Sequence, residues 1–200
     1  MKYDASSRWG QLDGNRRGLL NRCEKYAEFT LPKICPPPGY NQNSEELSHD
    51  WQSFGAQGVN HLSNKMMLAL FAPSRPFFRY QPDKALAAEM KELGVDAGAL
   101  AEALAQGERD AVQALDSMSA RPKLYEALKH LIITGNVLMI LGKQTLRVVG
   151  IKNYVVKRNV EGKVVEGMLR EELMFDELAP KVQAYLIQIG IHKPERDKAS

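Results

Sequence analysis

The sequence predicts an α+β protein: a mainly helical N-terminal two-thirds, then a small antiparallel β-sheet or hairpin, then a closing helix. Three observations carry this. Residues 83–120 are rich in Ala, Leu, Glu and Gln, all strong helix formers but for the breaks they contain. Apolar residues recur near the helical period as far as Thr134. After Gly135-Asn136 the pattern changes to short runs of branched residues, which suit strands.

The elements follow in order. Residues 12–30 place Leu12, Leu19, Leu20, Cys23, Tyr26, Ala27 and Phe29 between Arg16, Arg17, Arg22 and Lys25, the spacing of one amphipathic helix with one apolar stripe. Gly14 and Gly18 weaken its first turns, each by about 1 kcal/mol relative to Ala. Pro32 ends it, because proline disfavours helix at the preceding residue. Residues 32–44, with Pro36-Pro37-Pro38-Gly39, are a linker of polyproline II or turn character. A second helix is expected from Asp50 to Phe71, capped by Ser48 or Asp50, with Phe54, Leu62, Met66, Ala69 and Leu70 on its packed side. Gly55 and Gly58 inside that pattern imply close approach of a neighbouring backbone. Met66-Met67 reads as core filler. Pro73 and Pro76 stop the helix, and Phe77-Phe78-Arg79-Tyr80 is a short strand or an aromatic plug.

Gly94, Asp96 and Gly98 break the Ala-rich stretch into two helices. Pro122 suits the first position of the next, whose stripe is Leu124, Leu128, Leu131 and Ile132. Strands are expected at Val137–Leu141, Leu146–Val149, Tyr154–Arg158 and Lys163–Leu169. Asn159-Val160-Glu161-Gly162 makes a hairpin loop with Gly162 at positive φ. The closing helix covers about Leu178–Ile189, and the tail from His192 frays. This divides the chain into an N-terminal helix with a proline-rich linker (1–44), a helical region (45–136) and a β-rich region with the closing helix (137–200).

Composition bounds the function. The chain has 200 residues, is 44% hydrophobic and 26% charged, and carries a net charge of +3. That is ordinary for a folded protein and far from a dense nucleic-acid clamp. No apolar run reaches the roughly 18 residues that span a bilayer. Met1 to Trp9 shows no apolar signal segment. A cytosolic or virion protein with reduced cysteines is expected.

Catalytic spacing is missing. Gly142-Lys143-Gln144-Thr145 lacks the earlier glycine of a phosphate loop. Cys23 and Cys35 could form a disulfide or a thiol site, but read better as a buried small hydrophobe and an incidental loop cysteine. His49, His61, His130 and His192 are dispersed, and a metal needs converging ligands. His61 with Asn60 and Asn64 could line a polar helix face. Glu171-Glu172 and Asp176-Glu177 read as a solvated strand end and the negative first turn of the last helix. Thus no catalytic residue, cofactor or metal is expected. Arg16, Arg17, Arg22 and Lys25, and Lys152, Lys157, Arg158 and Lys163 along the hairpin, are amphipathic surface charges that could touch DNA phosphates; Arg16, Arg17, Lys157 and Arg158 are the candidate contacts.

Three stretches in register carry a family resemblance. One is Trp51–Phe71, with Trp51, Phe54, Gly55, Gly58, Asn60, Leu62, Met66 and Leu70. The second is Leu124–Leu138, with Tyr125, Leu128, Gly135 and Asn136. The third is Tyr154–Arg158, followed by Gly162 and Arg170. Together with Tyr26–Pro32, they resemble the N-terminal, wing part of the head-to-tail connector (portal) proteins of T7-like short-tailed bacteriophages. The resemblance implies a non-enzymatic homo-oligomer, a ring of usually twelve subunits at one capsid vertex, through which DNA is packaged and ejected and to which the tail attaches. It implies the major capsid protein, a tail adaptor, terminase and passing double-stranded DNA as partners, and the virion as location, with host cytoplasm during assembly and no membrane. Portals of this kind are over twice as long, so the chain is expected to be a fragment lacking the stem, clip and crown. The alternative reading is a phage DNA-binding accessory protein.

Overall fold

The computed structural model describes residues 4–41, 44–47, 53–72, 76–94, 96–142 and 145–189. Trp51, the capping positions Ser48 and Asp50, and the tail from His192 lie outside these. Seven helices and four strands are described: α1 (Ala5–Gly14), α2 (Arg17–Glu28), α3 (Phe54–Leu70), α4 (Lys84–Glu92), α5 (Ala97–Ser117), α6 (Ala120–Thr134), β1 (Leu138–Leu141), β2 (Leu146–Val149), β3 (Tyr154–Arg158), β4 (Val164–Leu169) and α7 (Pro180–Gln188). The α+β class is therefore as the sequence predicts. The chain divides into two compact units, 1–168 and 169–200.

In the first unit, the single helix expected over 12–30 is two. Asp4 caps α1 by accepting from the backbone N–H groups of Ser6 and Ser7. The chain then breaks at Asn15-Arg16, next to Gly14, where the Arg16 guanidinium bonds the Asp13 carboxylate and the Ile151 carbonyl. A helix interrupted at a glycine gains a side-chain anchor there. α2 buries Cys23 and Ala27. Tyr26 and Phe29, expected on its apolar stripe, are instead exposed. The reason is the period: the buried face follows Leu19, Leu20, Cys23 and Ala27, and Tyr26 and Phe29 fall on its far side.

Pro32–Ile34 forms a 3₁₀ turn, and Pro37–Tyr40 a turn closed by Tyr40 N–H to Pro37 O at 3.3 Å, with Gly39 at φ +80°. A positive φ at the third position is what a type II turn demands, and glycine adopts it without strain. Cys35 is not an incidental loop cysteine. It is 2% exposed, inside the core with Cys23, Val59, Ile133, Val149, Ile151 and Tyr154.

The packed side of α3 also differs from expectation. Val59 and Ser63 are buried, with Gly55, Ala56, Asn60, Met66 and Met67 half-buried, while Phe54, Leu62, Ala69 and Leu70 face outward. The buried set repeats at three to four residues and points at α6, the main partner of α3. Hydrophobicity alone selected the opposite residues because both sides of α3 carry apolar side chains. Gly55 does meet a backbone; Gly58 has open space where a Cβ would go, so no close approach requires it.

Asp96 caps α5 through Ala99 N–H. Phe71, Phe77, Phe78 and Tyr80 form a chain of ring contacts, centroids 5.1–5.4 Å apart, which is the aromatic plug rather than a strand. Tyr80 ends against Gly107 of α5 and donates its backbone N–H to Glu108. α6 buries Ala120, Ala127, Leu128, His130, Ile133 and Thr134; Leu131, expected in the stripe, is exposed. It ends at Gly135, whose φ of +67° fits a left-handed cap.

β1 and β2 pair antiparallel with Leu138 opposite Val149 and Leu141 opposite Leu146. β3 and β4 form the second two-stranded sheet. Their connection is the expected hairpin: Asn159 N–H reaches Lys163 O at 2.9 Å, and Gly162 has φ +82°. In the second unit, Pro180 opens α7 and Gln183 Nε2 donates to the carbonyls of Phe175 and Leu178, fixing the preceding turn to the helix.

Candidate functional site

A few of the family-motif residues lie where α6 and α3 pack: Tyr125 and Leu128 on α6, Asn60 and Met66 on α3. Leu128 is buried. Tyr125 is half-buried, with its hydroxyl 3.5 Å from Asn60 O and the Lys129 ammonium 4.3 Å from its ring centroid. Beneath this contact, Asn60 Oδ1 and Ser63 Oγ are buried without a protein partner. Met66 is half-buried on the same side, whereas Phe54, Leu62 and Leu70 point away from it.

A second group sits at the end of α6. Thr134 Oγ1 bonds His130 O and Asn136 O at 2.8 and 2.7 Å, and Asn136 Nδ2 donates to Thr134 O. Cys23 Sγ lies 3.7 Å from the same Thr134 carbonyl. Gly135-Asn136 is thus a built turn that closes α6 over α2 and aims β1 onward. Tyr154, at the start of β3, is buried in the core, and burial raises its phenol above the usual value.

Besides Tyr154, Cys23, Cys35 and His130 are buried titratable groups among the described residues. Burial pushes the Cys35 thiol up to about 11, with the nearby Lys152 charge acting the other way. Burial raises Cys23 as well. Thiols held protonated are poor nucleophiles. Burial lowers His130, and Glu126 opposes that shift. Its Nδ1 has no protein partner, and its Cε1 faces Gly150, where a Cβ would come within 3.1 Å. His130 is thus neither solvent-facing nor fully satisfied. Among the described residues, no three His, Cys, Asp or Glu side chains converge on a metal position.

The basic residues divide by what holds them. Arg16 spends its donors on Asp13 and the Ile151 carbonyl. Arg158 gives one N–H to Gly162 O at 2.8 Å. Arg17 and Lys157 are exposed. Sequence reasoning missed two pairs that tie the helices to the β region. Arg8 binds Glu166 through two N–H···O contacts of 2.9 and 2.6 Å. Lys152 pairs with Glu24 and donates to the Pro36 carbonyl. Their partners are over a hundred residues apart in sequence, so no local pattern could reveal them. No described helix is long and apolar enough to cross a membrane.

Among the described residues this arrangement offers packing, pinned joints and exposed surface. The profile of the family described as bacteriophage head to tail connecting protein matches residues 2–186. The chain is 31% identical over 184 residues to the portal protein of Enterobacteria phage SP6, covering 92% of this chain and 35% of the relative. It is 31% identical over 197 residues to the portal protein of Enterobacteria phage T3, covering 94% and 36%. The portal protein of Escherichia phage T7 is 31% identical over 188 residues, covering 90% and 34%. The chain thus spans about a third of the length of the curated relatives it matches. With the match running from the first helix into the closing one, the chain belongs to the bacteriophage head to tail connecting protein family.

Proposed function

We propose that this chain is a structural subunit of a portal, the connector ring at one capsid vertex through which phage DNA enters and leaves and on which the tail is seated. The observation that carries the reading is the match over residues 2–186 to proteins named as portals. The chain supplies the N-terminal wing part, and its motif residues serve packing: Tyr125 against Asn60 of α3, Leu128 buried on α6, Gly135 and Asn136 at the end of α6, Tyr154 in the core. Its role is architectural, with no chemistry of its own. Its partners are further copies of itself in a ring and the major capsid protein, and its place is the virion. Tail adaptor and terminase are met through portal segments beyond the wing. Arg17 and Lys157, exposed and unlike Arg16 not bound up in the fold, are the residues that meet DNA phosphates in passing. Loose contacts suit a duplex that must slide.

The test is quantitative mass spectrometry of purified particles from the phage that encodes the chain. A small fixed complement per particle, against hundreds of copies of the major capsid protein, is expected. Absence from particles, or a copy number tracking the capsid protein, would contradict the reading.

A further inference from the structure

Cys23 and Cys35 stand twelve positions apart in the sequence, yet both lie in one core cluster, each 2% exposed. The 3₁₀ turn Pro32–Ile34 folds the chain back against α2, which carries Cys23. The Lys152 ammonium binds the Glu24 carboxylate and the Pro36 carbonyl together. Glu24 and Pro36 directly follow the two cysteines, so one cation pins the two segments side by side. The thiols are near enough that charge on Cys23 acts on Cys35.

Both cysteines are free. The Cys23 Sγ contact to the Thr134 carbonyl is long, 3.7 Å, and a thiol is a weak donor, so little opposes its turning to another partner. The two segments are not held equally. Cys23 sits inside a twelve-residue helix, while Cys35 ends a three-residue turn beside the proline run. Such a turn opens locally more often than a helix packed in the core, so Cys35 is the thiol that reaches solvent first.

We propose that Cys23 and Cys35 are a modification site that closes into an intrachain disulfide when a small-molecule disulfide is present. The step is two exchanges. Cys35, its proton lost to water, attacks one sulfur of the oxidant. The oxidant's S–S bond breaks, and one small thiol leaves with the electron pair and takes up a proton. The Cys23 thiolate then attacks the Cys35 sulfur of the mixed disulfide and expels the second small thiol. Two protein thiols are oxidised, and one small disulfide is reduced to two thiols. Lys152 favours the Cys35 thiolate once opening relieves its burial. A reducing cytosol keeps the pair open, and oxidising surroundings close it. The bond ties α2 to the turn and restricts the unfolded chain, so the closed form is the more stable one. The site is independent of the portal reading.

The experiment incubates the purified chain with oxidised glutathione at about pH 8, without denaturant. Remaining thiols are blocked with N-ethylmaleimide and the tryptic peptides are mapped. Cleavage at Lys25 and Lys33 separates the cysteines, so only a disulfide holds their peptides together. The Cys23–Cys35 link within single chains is expected to become the main species over hours. Tm is expected to rise by at least about 3 °C, and dithiothreitol to reverse the rise. Cys23→Ser and Cys35→Ser are expected to show neither link nor rise; if they do not fold, the wild-type comparison decides alone. Cysteines that stay unlinked overturn the proposal, as do links only between chains, glutathione left on one cysteine as the end product, or a linked form whose Tm is unchanged or lower. None of these outcomes touches the portal reading, whose test is the copy number in particles.

Discussion

Gly55 on α3 lies directly against the carbonyl oxygen of Phe29: a Cβ at position 55 would come 2.1 Å from that oxygen and 3.3 Å from the Thr30 Cα. Both contacts are backbone, so no side chain can swing aside. Gly55→Ala must therefore push α3 away from the end of α2, and should cost about 3 kcal/mol in chemical denaturation. Gly58, one turn on, has nothing within 4 Å of that position. Gly58→Ala should be neutral or stabilising by up to about 1 kcal/mol, since only the helix preference of alanine acts there. Equal costs at the two sites would show that the α2–α3 contact is not the tight one.

Arg16 and Arg17 are neighbours with different work. Arg16 holds the Ile151 carbonyl at 2.7 Å and Asp13 at 2.7 Å. Arg16→Met should cost about 1–2 kcal/mol, because Ile151 is buried and its carbonyl loses a charged donor. Arg17→Met should change stability by less than about 0.5 kcal/mol. Its effect should appear instead as weaker binding to duplex DNA at low salt, with a shallower salt slope. Urea denaturation and a salt-titrated binding assay separate the two roles.

His130 ties stability to acid. Burial holds its folded pKa below the ordinary value of 6.5. The unfolded chain therefore takes up a proton first. The contribution to stability is complete above about pH 6.5 and is lost as pH falls from there through the folded pKa. Wild type should show a falling urea midpoint over that window. In His130→Gln the part of the slope due to this group should vanish; an unchanged slope would place the acid sensitivity elsewhere.

Cys35 acts at the other end of the scale. Its folded thiol sits at about 11 against 9.0 for the free group. The unfolded thiol ionises first as pH rises, so stability is intact below about pH 9 and declines from there until the folded thiol also titrates. Cys23 and Tyr154 are raised in the same direction and add to the decline. Cys35→Ala should be less stable at neutral pH, because it opens a small cavity, yet should lose less stability between about pH 9 and 11. Below that range, both thiols should react slowly with a thiol reagent unless the protein is unfolded.

The fold was legible wherever local chemistry decides it. The break between α4 and α5 at Gly94–Gly98, the change to strand after Gly135-Asn136, Gly162 at positive φ, and the strands to within a residue all follow from nearest-neighbour rules. What stayed hidden needed tertiary knowledge. α2 and α3 each carry apolar residues on two sides, and only the position of α6 selects Val59 and Ser63 over Phe54 and Leu62. Cys35 precedes a run of prolines and looks like loop until the 3₁₀ turn folds it into the core. Arg8–Glu166 and Lys152–Glu24 join distant segments, so charge patterning along the chain is blind to them. The family, by contrast, was readable from three motif stretches. The contact of Tyr125 on α6 with Asn60 on α3, and the turn that Asn136 makes with Thr134, became visible only once the helices were placed.

Immunogold labelling of this chain on intact particles tests the portal reading most directly. Label confined to a single vertex, at the junction with the tail, is the expected result. Label spread evenly over the capsid, or found only on free protein outside particles, would contradict it.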